Sequence, residues 1–202
     1  MNVRLETQRL ILRKPKISDW KDIVDGCKEI DVTRYLTVVP HPYKKKDALF
    51  WIKKSIKEWG KKGYPFIIQL KSENKVIGCM DIHRIDFDSG KALTGSWINK
   101  KYWRKGYITE AKIAVNNFAF DKLKLRKLNS GVFVDNEASN KTQQRMGYKL
   151  EGVLREESKS LATGKIHNIN IYGLLKREWK RNLPKVKKRL NEKVKKLEAV
   201  KK

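Results

Sequence analysis

The sequence predicts an α+β fold, a single mixed sheet with helices on both faces, followed by a basic C-terminal helix. Three observations carry this. Period-two alternation and period-3.6 stripes succeed one another as a strand, two helices, three strands, a helix, a strand, a helix and two strands. The uninterrupted run of three strands breaks the strict strand–helix alternation of a doubly wound dinucleotide fold. From Lys176 to Lys202, 13 Lys plus Arg stand against three Glu, so the composition changes where the strands end.

Arg9 to Lys14 alternates around Leu10 and Leu12 and reads as the first strand, stopped by Pro15. Ser18 can cap a helix to about Lys28, with Trp20, Ile23, Val24 and Cys27 on one face. Pro40 and Pro42 mark a loop before a second helix, about Lys44 to Trp59, striped by Leu49, Ile52, Ile56 and Trp59 and ended by Gly60. Tyr64–Leu70, Val76–His83 and Ala92–Ile98 are strands separated by Ser72-Glu73-Asn74 and Asp88-Ser89-Gly90. A helix starts near Gly106 and buries Ala111, Val115, Phe118 and Ala119. Lys127 to Val134 is a strand and Ala138 to Met146 a short helix. Tyr148–Glu157 and Lys165–Leu175 are strands joined through Ala162-Thr163-Gly164. In the tail, Val186, Leu190, Val194 and Leu197 recur at helical spacing, with Pro184 suited to the first turn. The division is a domain over 1–178 and a basic amphipathic tail over 179–202. The apolar stripe of the tail can pack on the protein's own body or on a second copy, and its basic face can meet RNA, a ribosomal surface or a membrane surface.

Composition narrows the function classes. The chain has 202 residues, 40% of them hydrophobic, with six Trp, seven Tyr and six Phe, which suffices for one core and argues against disorder. Leu10-Ile11-Leu12 is too short to span a membrane and is flanked by Arg9 and Arg13, so a cytoplasmic protein is expected. Cys27 and Cys79 lack metal-site spacing and read as reduced, mostly buried thiols. His41, His83 and His167 are too scattered for a metal centre, and no metal is expected. A net charge of +26 draws the protein to polyanions, among them RNA, ribosomes, acidic protein patches and phosphate-rich cofactors.

The segment 101–111 carries the first piece of chemistry. A strand ends at Ile98 and a helix begins past Gly106, so the loop between them offers free N–H groups at the positive end of a helix dipole. That suits a pyrophosphate. Gly106 permits close backbone approach, and Arg104 and Lys105 add charge. Downstream, Asn136, Ser139, Gly147 and Tyr148 form a second cluster.

Together, and in this order, the two segments resemble the cofactor motifs of the GNAT superfamily of N-acetyltransferases. In the first, Trp103, Gly106, Tyr107, Thr109, Glu110 and Ala111 match, while Lys101 replaces the usual Gln or Arg and Arg104 replaces the first glycine. In the second, Asn136, Ser139, Gly147 and Tyr148 fall at the family's spacing. Leu150-Glu151-Gly152-Val153-Leu154-Arg155 and the opening Thr7-Gln8-Arg9-Leu10-Ile11-Leu12-Arg13 resemble the Rim-type ribosomal-protein alanine and serine N-terminal acetyltransferases. The resemblance spans about residues 6 to 175.

It implies a GNAT-like, mostly antiparallel sheet, acetyl-CoA as co-substrate and a primary amine as acceptor. The acceptor it points to is the N-terminal α-amine of a protein such as a ribosomal protein, attacked directly in a ternary complex. The alternatives are a small amine (polyamine, aminoglycoside or amino acid) or a non-catalytic RNA- or ribosome-binding module. The implied cofactor-binding residues are Trp97, Ile98, Asn99, Trp103, Arg104, Lys105, Gly106, Tyr107, Ile108, Thr109, Asn136, Ser139 and Lys141. The strand ending at Ile98 should splay from Lys127–Val134 and pair with pantetheine at Ser96–Ile98. Many family members use a Tyr as acid where this chain has Gln143, which leaves Ser139 as the candidate acid. For the base the candidates are Glu157 and Asp81. Alternation sends Glu156 and Glu157 to opposite strand faces, and it places Asp81 and His83 on one face. A monomer or a homodimer is expected.

Overall fold

The computed structural model describes residues 3–199, so Met1, Asn2 and the last three residues of the predicted tail lie outside the description. The seven strand signals, joined by a two-residue strand that the sequence reading did not include, become one eight-stranded sheet among the described residues. The strands are β1 (Leu5–Glu6), β2 (Leu10–Arg13), β3 (Gly63–Leu70), β4 (Lys75–Asp86), β5 (Lys91–Ile98), β6 (Lys127–Phe133), β7 (Lys149–Lys159) and β8 (Ile166–Leu175). Their spatial order is β1-β2-β3-β4-β5-β6-β8-β7. Every neighbouring pair is antiparallel except β5 and β6, which are parallel. This is the mixed, mostly antiparallel sheet expected.

The described residues form six α-helices: α1 (Trp20–Cys27), α2 (Ile30–Thr33), α3 (Lys45–Glu58), α4 (Tyr107–Asn117), α5 (Glu137–Met146) and α6 (Lys176–Ala199). Strand alternation sorts the sheet into two apolar layers. Leu10, Leu12, Phe66, Ile68, Met80 and Ile82 pack with Ala111 and Val115 of α4 and Trp179 and Val186 of α6. On the other face, Ile67 and Val76 pack with Ile23 and Cys27 of α1 and Ala48 and Ile52 of α3. Since Met80 and Ile82 face α4, Asp81 and His83 face the α1–α3 side.

Three local features differ from the sequence reading. Ser18 does not cap α1. It lies in a 3-10 turn, Ile17–Asp19, where the Asp19 carboxylate accepts from Lys16 N–H at 2.7 Å and meets both Nη atoms of Arg13. A carboxylate with two acceptor oxygens meets a guanidinium fork as well as a backbone donor, which a hydroxyl does not match. The one-turn α2 has no apolar stripe long enough to show a period. Finally, the tail helix starts at Lys176, directly after β8, and Pro184 sits inside it. Proline removes one N–H from the ladder there. Packing holds the helix regardless: Trp179, Val186 and Val194 are buried, and Trp179 Nε1 donates to Asn117 Oδ1 at 2.8 Å. The apolar stripe therefore lies on the protein's own body.

Candidate active site

The site begins where the sheet opens. β5 and β6 pair only at Lys91↔Lys127, Ala92↔Leu128 and Leu93↔Asn129. Beyond Leu93 the strands diverge, β5 to Ile98 and β6 to Phe133, leaving a fork between them. Asn99 N–H bonds Ile77 O of β4 at 2.8 Å. Alternation along the strand turns the N–H groups of Ser96 and Ile98 toward the fork. At the fork's outer end the exposed Trp103 donates from Nε1 to Ile98 O at 2.7 Å. Trp97 sends its ring the other way, onto α1, so close that a Cβ on Gly26 would stand 2.6 Å from it.

The loop after β5 keeps the shape of an anion cradle. Gly106 has φ +83° and caps α4 without a side-chain acceptor, so the first N–H groups of α4 have no side-chain cap. Arg104, at the position of the family's first glycine, also adopts a left-handed φ of +61°. The backbone turn thus survives the replacement, at a strain of roughly 1 kcal/mol. Arg104→Gly would relieve that strain but loosen the unfolded chain by a similar amount. Its melting temperature is therefore expected to stay unchanged while acetyl-CoA affinity falls several-fold, read by a thermal melt and a titration. Glu110 is a structural anchor: it accepts from Thr7 Oγ1 (2.6 Å), Arg9 N–H (2.8 Å) and Arg9 Nε (2.7 Å), tying α4 to the first strands.

The other loop residues divide by role. Lys105 O accepts from Arg9 Nη1, and the Lys105 ammonium lies 5.4 Å over the Tyr102 ring. Tyr107 stacks under the Arg9 guanidinium at 4.4 Å, and Ile108 packs on the core. Thr109 stands half-buried in the first turn of α4. Asn99 is buried, its side chain accepting from Lys101 N–H and donating to Asp25 Oδ2, so it braces the loop. Across the fork, Asn136 caps α5 by accepting from Ser139 N–H at 3.2 Å, leaving the half-buried Ser139 in the first turn. Lys141 pairs with Glu137 at 2.7 Å on the exposed side of α5.

Behind the point of divergence lies a buried polar network that period counting does not reveal. Gln143 Nε2 donates to Ser130 Oγ at 2.8 Å, and Ser130 Oγ donates to Thr94 O at 3.4 Å. Lys112 Nζ donates to Gln143 Oε1 at 3.4 Å and lies 5.7 Å from the Tyr148 ring. Lys112 is 2% exposed. Burial pushes its pKa down from 10.5 to about 8, opposed by the charge of Asp81. A signal existed: Lys112 stands three residues before Val115 and seven before Ala119, both on the buried stripe.

On the opposite face of the sheet, Asp81 pairs in register with Gly95, two residues past the last β5–β6 pair. Asp81 Oδ1 accepts from Gly95 N–H at 2.7 Å, and Asp81 Oδ2 lies 3.2 Å from His83 Nδ1. Gly95 makes this possible, because a Cβ there would stand 2.8 Å from Asp81 Oδ1. Both side chains keep solvent access. Glu157 lies on β7, separated from β6 by β8. It is exposed in β7, where the register shifts between Leu154 and Ser158 and Glu156 takes φ +50°. The bulge breaks the alternation expected of Glu156 and Glu157. Among the described residues no group of three His, Cys, Asp or Glu is placed to hold a metal ion.

Residues 9–149 match the family model described as an acetyltransferase (GNAT) domain. An uncharacterised N-acetyltransferase, p20 of Bacillus licheniformis, is 28% identical over 177 residues, covering 87% of this chain and 97% of the relative. The ribosomal-protein-serine acetyltransferase of Escherichia coli (strain K12) is 28% identical over 95 residues, covering 47% of this chain and 53% of the relative. Among solved structures, the microcin C7 self-immunity acetyltransferase MccE, in complex with acetyl-CoA and AMP, superposes with a TM-score of 0.73 at 22% identity, covering 84% of this chain and 93% of that one.

Proposed function

Because this chain belongs to the GNAT acetyltransferase family, we propose that it transfers an acetyl group from acetyl-CoA to the N-terminal α-amine of a protein, foremost a ribosomal protein. One observation carries the reading of the site. The fork joins two chemically different faces, an anion-binding loop at α4 on one and the Asp81–His83 pair on the other. Donor and acceptor can therefore meet at the fork from opposite sides, and holding them in line supplies much of the rate.

Acetyl-CoA supplies the activated acyl group and a thiolate leaving group. The protein's residues do the rest. The free N–H of Gly106 and the first turn of α4, with Arg104 beside them, hold phosphate. The Ile98 N–H, directed into the fork, donates to the oxygen on which charge develops. The Asp81 carboxylate takes the proton of the acceptor ammonium, and Gly95 N–H, donating to Asp81 Oδ1, orients it. The Ser139 hydroxyl, in the first turn of α5, supplies the proton for the departing sulfur. Gln143 is turned inward to Ser130 and has no acid to offer.

The acceptor assignment is supported by the Leu150–Arg155 run, by the relative named as a ribosomal-protein-serine acetyltransferase, and by the +26 charge, which suits an acceptor on an RNA-rich particle. The test is thiol release from acetyl-CoA with peptides bearing Ser, Ala, Thr or Met at the N-terminus, alongside spermidine and an aminoglycoside. Turnover is expected on one peptide class. Turnover on the small amines alone would transfer the enzyme to the small-amine class.

A further inference from the structure

The basic helix α6 lies outside the residues matched by the family, 9–149, yet it reaches the phosphate loop. A Cβ built on Gly106 would stand 3.0 Å from Leu190 Cδ1 and 3.8 Å from Lys193 Cδ. Leu190 thus seats one turn of α6 against the loop and carries Lys193 over it. The Lys193 ammonium is held below its usual range, first by partial burial and then by repulsion from Arg145, Arg104 and Arg9. Four cations, from the β1–β2 turn, the loop before α4, α5 and α6, thus act on one another, and Arg9 Nη2 stands 3.4 Å from the same Cβ. Arg9 is neutralised by Glu110 at 2.7 Å. Arg104, Arg145 and Lys193 have no carboxylate partner among the described residues. Three unpaired like charges gathered at the positive end of a helix repel one another, and an anion among them converts that repulsion into attraction.

We propose that the Leu190–Lys193 turn of α6 is the outer wall of the coenzyme site and that Lys193, with Arg104 and Arg145, binds a phosphate group of coenzyme A. This rests on the acetyl-CoA reading above and extends it: the tail serves the donor, while its remaining basic face stays available to solvent. Lysine suits the task as a flexible point charge on a stem long enough to lie along Gly106.

The experiment is calorimetric titration of the full chain with CoA and with 3′-dephospho-CoA, comparing wild type, Lys193→Gln and Lys195→Gln. Glutamine at 193 keeps Leu190 and Val194 and so the packing of the helix. Lys195 is exposed on the same helix without an ion-pair partner among the described residues, so its variant reports the long-range field alone. Lys193→Gln is expected to weaken CoA about tenfold, as loss of one charge-assisted contact does, with Lys195→Gln near wild type. A loss seen for CoA but not for dephospho-CoA assigns Lys193 to the 3′-phosphate. An equal loss for both assigns it to the pyrophosphate. Unchanged CoA affinity in Lys193→Gln, or an equal loss in Lys195→Gln, overturns the inference and leaves the acetyltransferase reading standing. Failure of the wild type to bind CoA would sink the acetyltransferase reading, and this inference with it.

Discussion

Asp81→Asn is expected to lower kcat by roughly a hundred- to ten-thousandfold, the usual range for loss of a general base, and to leave acetyl-CoA affinity unchanged. The two halves of the result come from the geometry. Asp81 faces the α1–α3 side of the sheet, away from the loop at Gly106, so its charge does not serve the donor. Asparagine keeps the oxygen that accepts from Gly95 N–H, so the strand pair holds. What it loses is the ability to take a proton. Steady-state turnover on the best peptide, with a coenzyme titration of the same variant, separates these effects. Glu157→Gln is the comparison, expected to change turnover little, because Glu157 is exposed on a bulged strand without an ion-pair partner among the described residues. The opposite ranking of the two variants would move the base to β7.

Lys112→Met is expected to stabilise the protein at pH 7. The Lys112 ammonium is buried against one amide oxygen at 3.4 Å, and among the described residues no carboxylate pairs with it. Its folded pKa, about 8, lies below the 10.5 of the unfolded chain. Below pH 8 both states hold the proton, and the folded state carries the full cost of the buried charge, about 3 kcal/mol. Between pH 8 and 10.5 the unfolded chain holds a proton that the folded one has released, so stability rises with pH across that window. Methionine removes the charge at similar volume but leaves Gln143 Oε1 without that donor, a loss of about 1 kcal/mol. The net gain is about 2 kcal/mol, or roughly 4–8 °C for a chain of this size. Melting curves at pH 7 and pH 10.5 check it: the variant should melt higher at the first and approach the wild type at the second. A lower melting temperature at pH 7 would mean that Lys112 is paid for by a partner that its surroundings do not display.

Both predictions concern residues whose roles depend on neighbours distant in the chain, and that marks where the sequence was readable. Each strand of four or more residues and each helix of eight or more follows a local period or punctuation mark. Leu10 and Leu12 alternate into β2, Gly60 stops the chain after α3, and Gly147 in its left-handed conformation ends α5. The exceptions have physical reasons. Ser18 lost its capping role to Asp19, because a carboxylate answers a guanidinium and a backbone N–H at once. α6 ran through Pro184 because Trp179 and Val186 anchor it on either side, and buried area outweighs one missing hydrogen bond.

The sequence alone determined the elements and the two motifs: a helix start near Gly106, the spacing of Asn136 and Ser139, and the placing of Asp81 and His83 on one strand face. The elements follow from periods of 2 and 3.6, which any stretch of chain displays without its partners, and the motifs from residue types at fixed spacing that the resemblance picks out. Only the tertiary structure decided that Asp81 lies against Gly95, that Lys112 is sealed behind Gln143, and that α6 folds back to bring Lys193 over Gly106. Each of these joins residues far apart in sequence. Contacts of that kind are set by packing and charge in three dimensions, where a one-dimensional period carries no information.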